Sequence, residues 1–215
     1  DDHGTHTSGT IAAVTNNGVG VAGVAGGSGT GDGARIMTLA AFGGVGIGGF
    51  GESYVYGADN GAVISQNSWG YTAPGSVEQS VIDGIDYFIA EAGKDEDGNQ
   101  IGPMRGGIVI FAAGNSDDDG DWYPGFYDKT LAVGGLTNQD KKAWYSNFGD
   151  WVDMSAPGGE TFVANDPHGV LSTIAGNQYA FFQGTSMACP HVSGVAALII
   201  SKFGGAGFTP EMLRG

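Results

Sequence analysis

The 215-residue sequence predicts an α/β fold, a three-layer sandwich with a mostly parallel central sheet and helices on both faces. Three observations carry that prediction. Apolar runs of strand length alternate with stretches of helical period, the pattern of repeated βα units. The run "IVIFAA" at 108–113 is continuously apolar, as a strand covered on both faces must be. Between 76 and 93, Val77, Val81, Ile82, Ile85, Phe88 and Ile89 recur at helical spacing and define one apolar face.

Taken in order, "DDHGTHTSGTIAA" (1–13) leads into an apolar helical stretch. "ARIMTLAAF" (34–42) is β-like, "ESYVYGADNG" (52–61) helical and "AVISQNSWG" (62–70) β-like. The helix of 76–93 and the buried strand within 106–115 follow, then β-like pieces at "TLAVGGL" (130–136) and "WVDMSAPGG" (151–159). A long apolar helix is expected from about Ser186 to Phe203, and "FTPEMLRG" (208–215) opens another with Thr-Pro-Glu. The chain starts inside what reads as a motif and stops just after a helix start. One domain, incomplete at both ends, is therefore expected over 1–215.

Composition narrows the partners. Eight basic residues stand against 23 acidic ones, a formal net charge of −15, the wrong sign for nucleic acid or an anionic membrane surface. The longest apolar run, "VAALII" (195–200), is too short to span a bilayer, and no signal peptide is visible. Cys189 has no partner cysteine in the chain and reads as packed rather than reactive. The 42 glycines show no collagen-like period and imply tight turns and close backbone approaches. Two acidic loops, "KDEDGNQ" (94–100) and "NSDDDGDW" (115–122), read either as solvated surface or as hard-oxygen calcium sites.

The chemistry concentrates at two places. In "QGTSMACPHVSG" (183–194), Gly-Thr-Ser stands at the mouth of the apolar helix, with Pro190 expected in its first turn. Ser186 then lies among orphan backbone N–H groups at the positive end of the helix dipole, a setting for an N-cap or a nucleophile. A nucleophile needs a base and an orienting group. In "DDHGTH", His3 and His6 read as a base, as metal ligands or as structural residues; their i, i+3 spacing with no carboxylate between gives zinc weak support.

"HGTHTSGTIAA", "AAGNS" and "GTSMACPHVSG" together resemble the three signature segments of the subtilisin-like serine proteases, in that family's order. "SQNSWG", "YPGFYDKTLAVGG", "YSNFG" and "MSAPGG" resemble its connecting segments, so the likeness spans the whole chain. It implies a serine endopeptidase with His3 as general base, Ser186 as nucleophile and Asn115, with the Ser186 N–H, as oxyanion donors. The family's orienting Asp precedes the His by some tens of residues, and neither Asp1 nor Asp2 fits that role. It is expected on a segment upstream of residue 1, absent here or on a separate chain, so that the fragment alone is a poor catalyst. The alternative is a non-catalytic peptide-binding or scaffold relative that lost the Asp.

The resemblance also implies substrate edges and P1-pocket walls at Ser68, Trp69 and Gly70, at Ala112, Ala113 and Gly114, and in "GVGIGGFG" (44–51), including Gly49. Asp117, Asp118, Asp119 and Asp121 beside that pocket suggest a preference for Lys or Arg at P1. A structural calcium is implied at "NNGVGV", through Asn17 and carbonyls near Val14, Val19 and Val21, with its carboxylate upstream. Tyr123-Pro124 falls where the family has a cis peptide. Polypeptide substrates, a propeptide or second chain as partner, and a secreted or cell-surface location complete the expectation. Other serine hydrolase plans fit poorly. In an α/β-hydrolase, Gly would stand at Ala188 and the base would not be His191 in the same helix; a chymotrypsin-like order would require an all-β chain.

Overall fold

A computed structural model describes residues 2–42 and 49–215. The elements are α1 (Asp2–Ala12), α2 (Phe50–Asp59), β1 (Ile64–Asn67), α3 (Gln79–Glu91), β2 (Ile108–Ala112), β3 (Leu131–Leu136), β4 (Met154–Pro157), β5 (Val170–Ile174), β6 (Gln178–Phe182), α4 (Thr185–Phe203) and α5 (Pro210–Arg214). Strands β1-β2-β3-β4 form one parallel sheet in that order, and β5-β6 form an antiparallel hairpin.

Alternation along β2 builds the three layers. Ile108 and Ile110 join Ala188, Cys189, Ala196 and Ile200 of α4 on one face. Val109 and Phe111 join Tyr54 and Ala58 of α2 and Val81, Ile85 and Phe88 of α3 on the other. Burying a side chain such as Ile85 or Phe88 contributes roughly 1.5–3 kcal/mol. The helices α2 and α3 touch backbone to backbone, since a Cβ on Gly84 would lie 2.9 Å from Gly51 Cα. The helix α4 is long and apolar enough to cross a bilayer, yet it packs on all four sheet strands as a core helix.

Three expectations are corrected. Residues 34–42 form no strand: being a strand requires a hydrogen-bonding neighbour, and β1 pairs only with β2 among the described residues. Ile36, Met37, Leu39 and Phe42 are accordingly exposed. Val77 precedes α3 and is exposed, so the apolar helix face starts at Val81. Pro190 lies in the interior of α4, not in its first turn. The β5-β6 hairpin was not expected, although Gly176 (φ 77°) and Asn177 (φ 57°) are residues suited to its turn.

Candidate active site

Ser186 is the second residue of α4, behind the N-cap Gly184 at φ 137°. Met187 and Ala188 donate to the Gly184 carbonyl at 2.9 and 3.3 Å, while the Ser186 N–H has no helical carbonyl four residues back. Pro190 has no N–H to return to the Ser186 carbonyl, as the residue four along normally does. Ser68 Oγ donates to that carbonyl at 2.7 Å. In the other direction, Ser186 Oγ donates to the Ser68 carbonyl at 3.3 Å. Gln66 Nε2 donates to Ser68 Oγ at 2.6 Å, so the end of β1 and its exit loop hold the start of α4.

Asn115 leaves the carboxyl end of β2, where a parallel sheet gathers its chemistry. Its Oδ1 accepts from Thr185 N at 2.8 Å and Thr185 Oγ1 at 2.9 Å. That fixes the amide orientation and turns Nδ2 toward Gly184. A Cβ placed on Gly184 would lie 3.5 Å from Asn115 Nδ2 and 3.7 Å from Ser186 N. The Asn115 side-chain amide and the Ser186 N–H thus both lie near Gly184, whose φ of 137° is one that L side chains rarely adopt.

His3 lies in the first turn of α1, which packs on α4 and β5. The residue is exposed, and partial desolvation of its ring lowers its pKa below the ordinary imidazole value. A neutral imidazole able to accept a proton near neutral pH follows. Thr173 Oγ1 donates to the Thr5 carbonyl and Ser172 Oγ to the His6 carbonyl, at 3.0 and 2.8 Å, which docks the start of α1 on the hairpin. His6 is structural: it is buried, stacked on Phe182 at 4.5 Å, with Nε2 3.0 and 3.1 Å from the Val170 and Ala180 carbonyls. Among the described residues, no three His, Cys, Asp or Glu side chains gather as a metal site. Asp2 Oδ1 accepts from Ala175 N at 3.0 Å, so its carboxylate caps the hairpin turn. His191 Nδ1 lies 2.8 Å from the Met187 carbonyl of its own helix.

Ser68, Trp69 and Gly70 form one strip beside Tyr123, whose carbonyl accepts from Tyr71 N at 3.1 Å. The Tyr123–Pro124 peptide is cis. Trp69 is fixed by its indole, which stacks on Phe50 at 4.5 Å, meets Phe111 edge-on and donates to Asn67 Oδ1 at 3.2 Å. Ala112, Ala113 and Gly114 are held by the buried Asn147. Its Nδ2 donates to the Ala113 carbonyl at 2.9 Å, its N to the Gly114 carbonyl at 3.0 Å, and its Oδ1 accepts from Ser116 N at 2.8 Å. Gly49, in the left-handed region, precedes α2; the rest of that glycine-rich edge, residues 44–48, lies outside the described residues. Of the neighbouring acids, Asp117 pairs with Lys142 at 2.6 Å and Asp118 accepts from Trp122 Nε1 and Gly120 N at 2.6 and 2.8 Å. In the other acidic loop, Asp95 Oδ1 accepts from Asp97 N and Asn99 N at 3.0 and 2.8 Å.

The loop after α1 curls through positive φ at Asn16, Gly18 and Gly20. Val14 and Val19 are exposed, and Asn17 Oδ1 accepts from Val19 N at 3.0 Å. With Val21, these residues offer only neutral oxygens. By itself the loop therefore does not fit a calcium ion, which calls for anionic ligands.

Three supporting residues were not foreseen in role: Thr185, Asn147 and Tyr145. Tyr145 OH donates to the Gly159 carbonyl at 2.6 Å and accepts from Gly184 N at 3.0 Å, and burial pushes its pKa up to about 12. The stretches "GTS" and "YSNFG" contained them, but no local pattern reveals which backbone groups a side chain will reach across the sheet.

The profile of the Subtilase family matches residues 1–215. A thermophilic serine proteinase of Bacillus sp. (strain AK1) is 34% identical over 205 residues, covering 94% of this chain and 43% of that protein. An extracellular basic protease of Dichelobacter nodosus is 34% identical, covering 96% of this chain and 32% of its own length. A solved protease structure from Pseudoalteromonas arctica superposes with a TM-score of 0.79 at 33% identity, over 99% of this chain and 61% of that one. The chain therefore spans less than half the length of these two curated relatives. Matched along its entire length, with the sheet and helices those structures share, it belongs to the subtilase family.

Proposed function

We propose that this chain carries most of the catalytic site of a serine endopeptidase. The observation that supports this best is that Asn115 Nδ2 and Ser186 N lie 3.5 and 3.7 Å from one point beside Gly184, with Asn115 tied to Thr185 just before Ser186. In this reading Ser186 Oγ attacks the scissile carbonyl carbon and its proton passes to His3. The new oxyanion is held by the two N–H donors. Collapse breaks the C–N bond, His3 returns the proton to the departing amine, and water releases the acyl group by the same steps in reverse roles. The Asp that orients His3 comes from a segment outside these 215 residues, since Asp2 already caps the hairpin turn.

Polypeptides are the substrates, lying against the 68–70 strip and the 112–114 wall. A propeptide or second chain that supplies the missing segment is the proposed partner. A secreted or cell-surface location is in keeping with the strongly acidic composition and with the Dichelobacter relative, an extracellular protease. Calcium at the 14–21 loop is proposed only as a composite site, completed by a carboxylate from elsewhere.

Hydrolysis of peptide amides by the full-length protein tests the reading. Activity lost in both Ser186→Ala and His3→Ala is expected; undiminished activity in Ser186→Ala would overturn it.

A further inference from the structure

The dipeptide Asn-Gly occurs twice in the chain, at Asn17-Gly18 in the loop after α1 and at Asn60-Gly61 where α2 ends. Asparagine is a labile residue, and before glycine its side-chain amide is most open to attack, because glycine has no side chain to shield the backbone nitrogen that attacks it. In steric terms the two sites match. All four residues are exposed. Gly18 (φ 71°) and Gly61 (φ 89°) both have left-handed backbone, and a Cβ on either would meet nothing within 4 Å. Neither pair enters the chemistry of Ser186.

Hydrogen bonding separates them. Asn60 Nδ2 donates to the Tyr56 carbonyl at 2.8 Å, and Gly61 N donates to the Ala58 carbonyl at 3.2 Å. The leaving amide and the attacking nitrogen are both tied to the last turn of α2, and both bonds must open before the two can meet. At the other site neither is held: among the described residues, no acceptor takes Asn17 Nδ2 or the Gly18 N–H. What is held there is the amide oxygen. Asn17 Oδ1 accepts from Val19 N at 3.0 Å, which folds the amide back over the Gly18 peptide. The same bond sets an N–H donor on the atom that becomes negative when Cγ is attacked. The turn stands on a fixed base, since Thr15 N donates to the Gly26 carbonyl at 3.3 Å and a Cβ on Gly20 would run into the Tyr179 hydroxyl of β6.

We propose that Asn17 is a site of spontaneous deamidation in the folded protein, and that the fold protects Asn60 from the same reaction. Gly18 N gives its proton to solvent and bonds to Asn17 Cγ. The Cγ–Nδ2 bond breaks, and Nδ2 takes up a proton and leaves as ammonia. Water then opens the cyclic imide at either carbonyl, giving aspartate or isoaspartate at position 17. Each product carries a negative charge that Asn17 lacks, the anionic oxygen that the 14–21 loop otherwise does not offer. The isoaspartyl form also adds a methylene to the backbone between α1, which bears His3, and Gly20. This inference holds whether or not Ser186 is a nucleophile.

The test uses the full-length protein carrying Ser186→Ala, so that the chain cannot cut itself. Samples are held in mildly alkaline buffer, native and in guanidinium chloride. Peptide mass spectrometry follows the amide-to-acid change at each asparagine, and an isoaspartyl methyltransferase marks isoaspartate. In the native protein Asn17 should lose its amide faster than Asn60 by roughly tenfold or more, the scale of two hydrogen bonds that must open first. In denaturant the two sites should react alike. The product at 17 should include isoaspartate, and Asn17→Gln should gain no charge over the same period. A native ratio near one or below it, or an Asn17 that stays intact until the protein is denatured, would overturn the proposal. Aspartate alone at 17 would also overturn it, because direct hydrolysis needs no attack by Gly18.

Discussion

Ser68 and Ser186 hold each other at two points: Ser68 Oγ donates to the Ser186 carbonyl at 2.7 Å, and Ser186 Oγ donates to the Ser68 carbonyl at 3.3 Å. The first bond exists because Pro190 leaves that carbonyl without its helical donor. Ser68→Ala is therefore expected to lower kcat about 3- to 10-fold with little change in KM, the effect of one lost hydrogen bond of about 1 kcal/mol. Pro190→Ala restores an N–H four residues on, so the double variant should lose less than the sum of the two single ones. A double-mutant cycle on kcat checks this.

On the proposed role of Asn115 as an oxyanion donor, Asn115→Ala should cost roughly 10²- to 10³-fold in kcat, the magnitude known for loss of such a donor in subtilisin. Gly184→Ala should be at least as damaging. Its Cβ would make only an ordinary contact with Asn115 Nδ2, at 3.5 Å, but the backbone at φ 137° would be strained by about 1–3 kcal/mol. Steady-state kinetics and thermal unfolding on the same samples separate the two effects.

The Asp166 carboxylate is held near pKa 2 by the backbone N–H groups of Phe162 and His168 and by the His168 ring. A depressed carboxylate pKa stabilises the fold above the unfolded value of 3.8, and that contribution is lost as pH falls through about 2. Asp166→Asn should lower stability at pH 6 and show a shallower further loss between pH 5 and 2. Urea unfolding across that range measures the difference.

Burial pushes the Cys189 thiol up to about 11, with the side chain fully enclosed under the sheet. Its thiolate is scarce at pH 8, so iodoacetamide should leave it unmodified in the native protein and alkylate it promptly in denaturant. Mass spectrometry of the two reactions decides the matter.

Much of this was legible in the sequence. Runs such as 108–113 and the face from Val81 to Phe88 announce their partners by period alone, because burial on a known face dictates residue type. The Gly-Thr-Ser and Ala-Gly-Asn motifs pointed to Ser186 and Asn115, two stretches that the fold joins through the bonds from Thr185 to Asn115. What stayed hidden depends on distant neighbours. Residues 34–42 have strand composition without a described strand to pair with, and the clamps from Asn147 and Tyr145 join segments more than thirty residues apart. Pro190 misled because helix statistics place Pro in the first turn, whereas here its missing N–H is compensated from β1's exit loop by Ser68.

Ser186, as the proposed activated nucleophile, should react with a fluorophosphonate. Full-length protein should take up one probe per molecule at Ser186, none in Ser186→Ala, and at a rate at least 100-fold lower in His3→Ala. Absence of labelling in folded full-length protein, or labelling that persists in Ser186→Ala, would contradict the account.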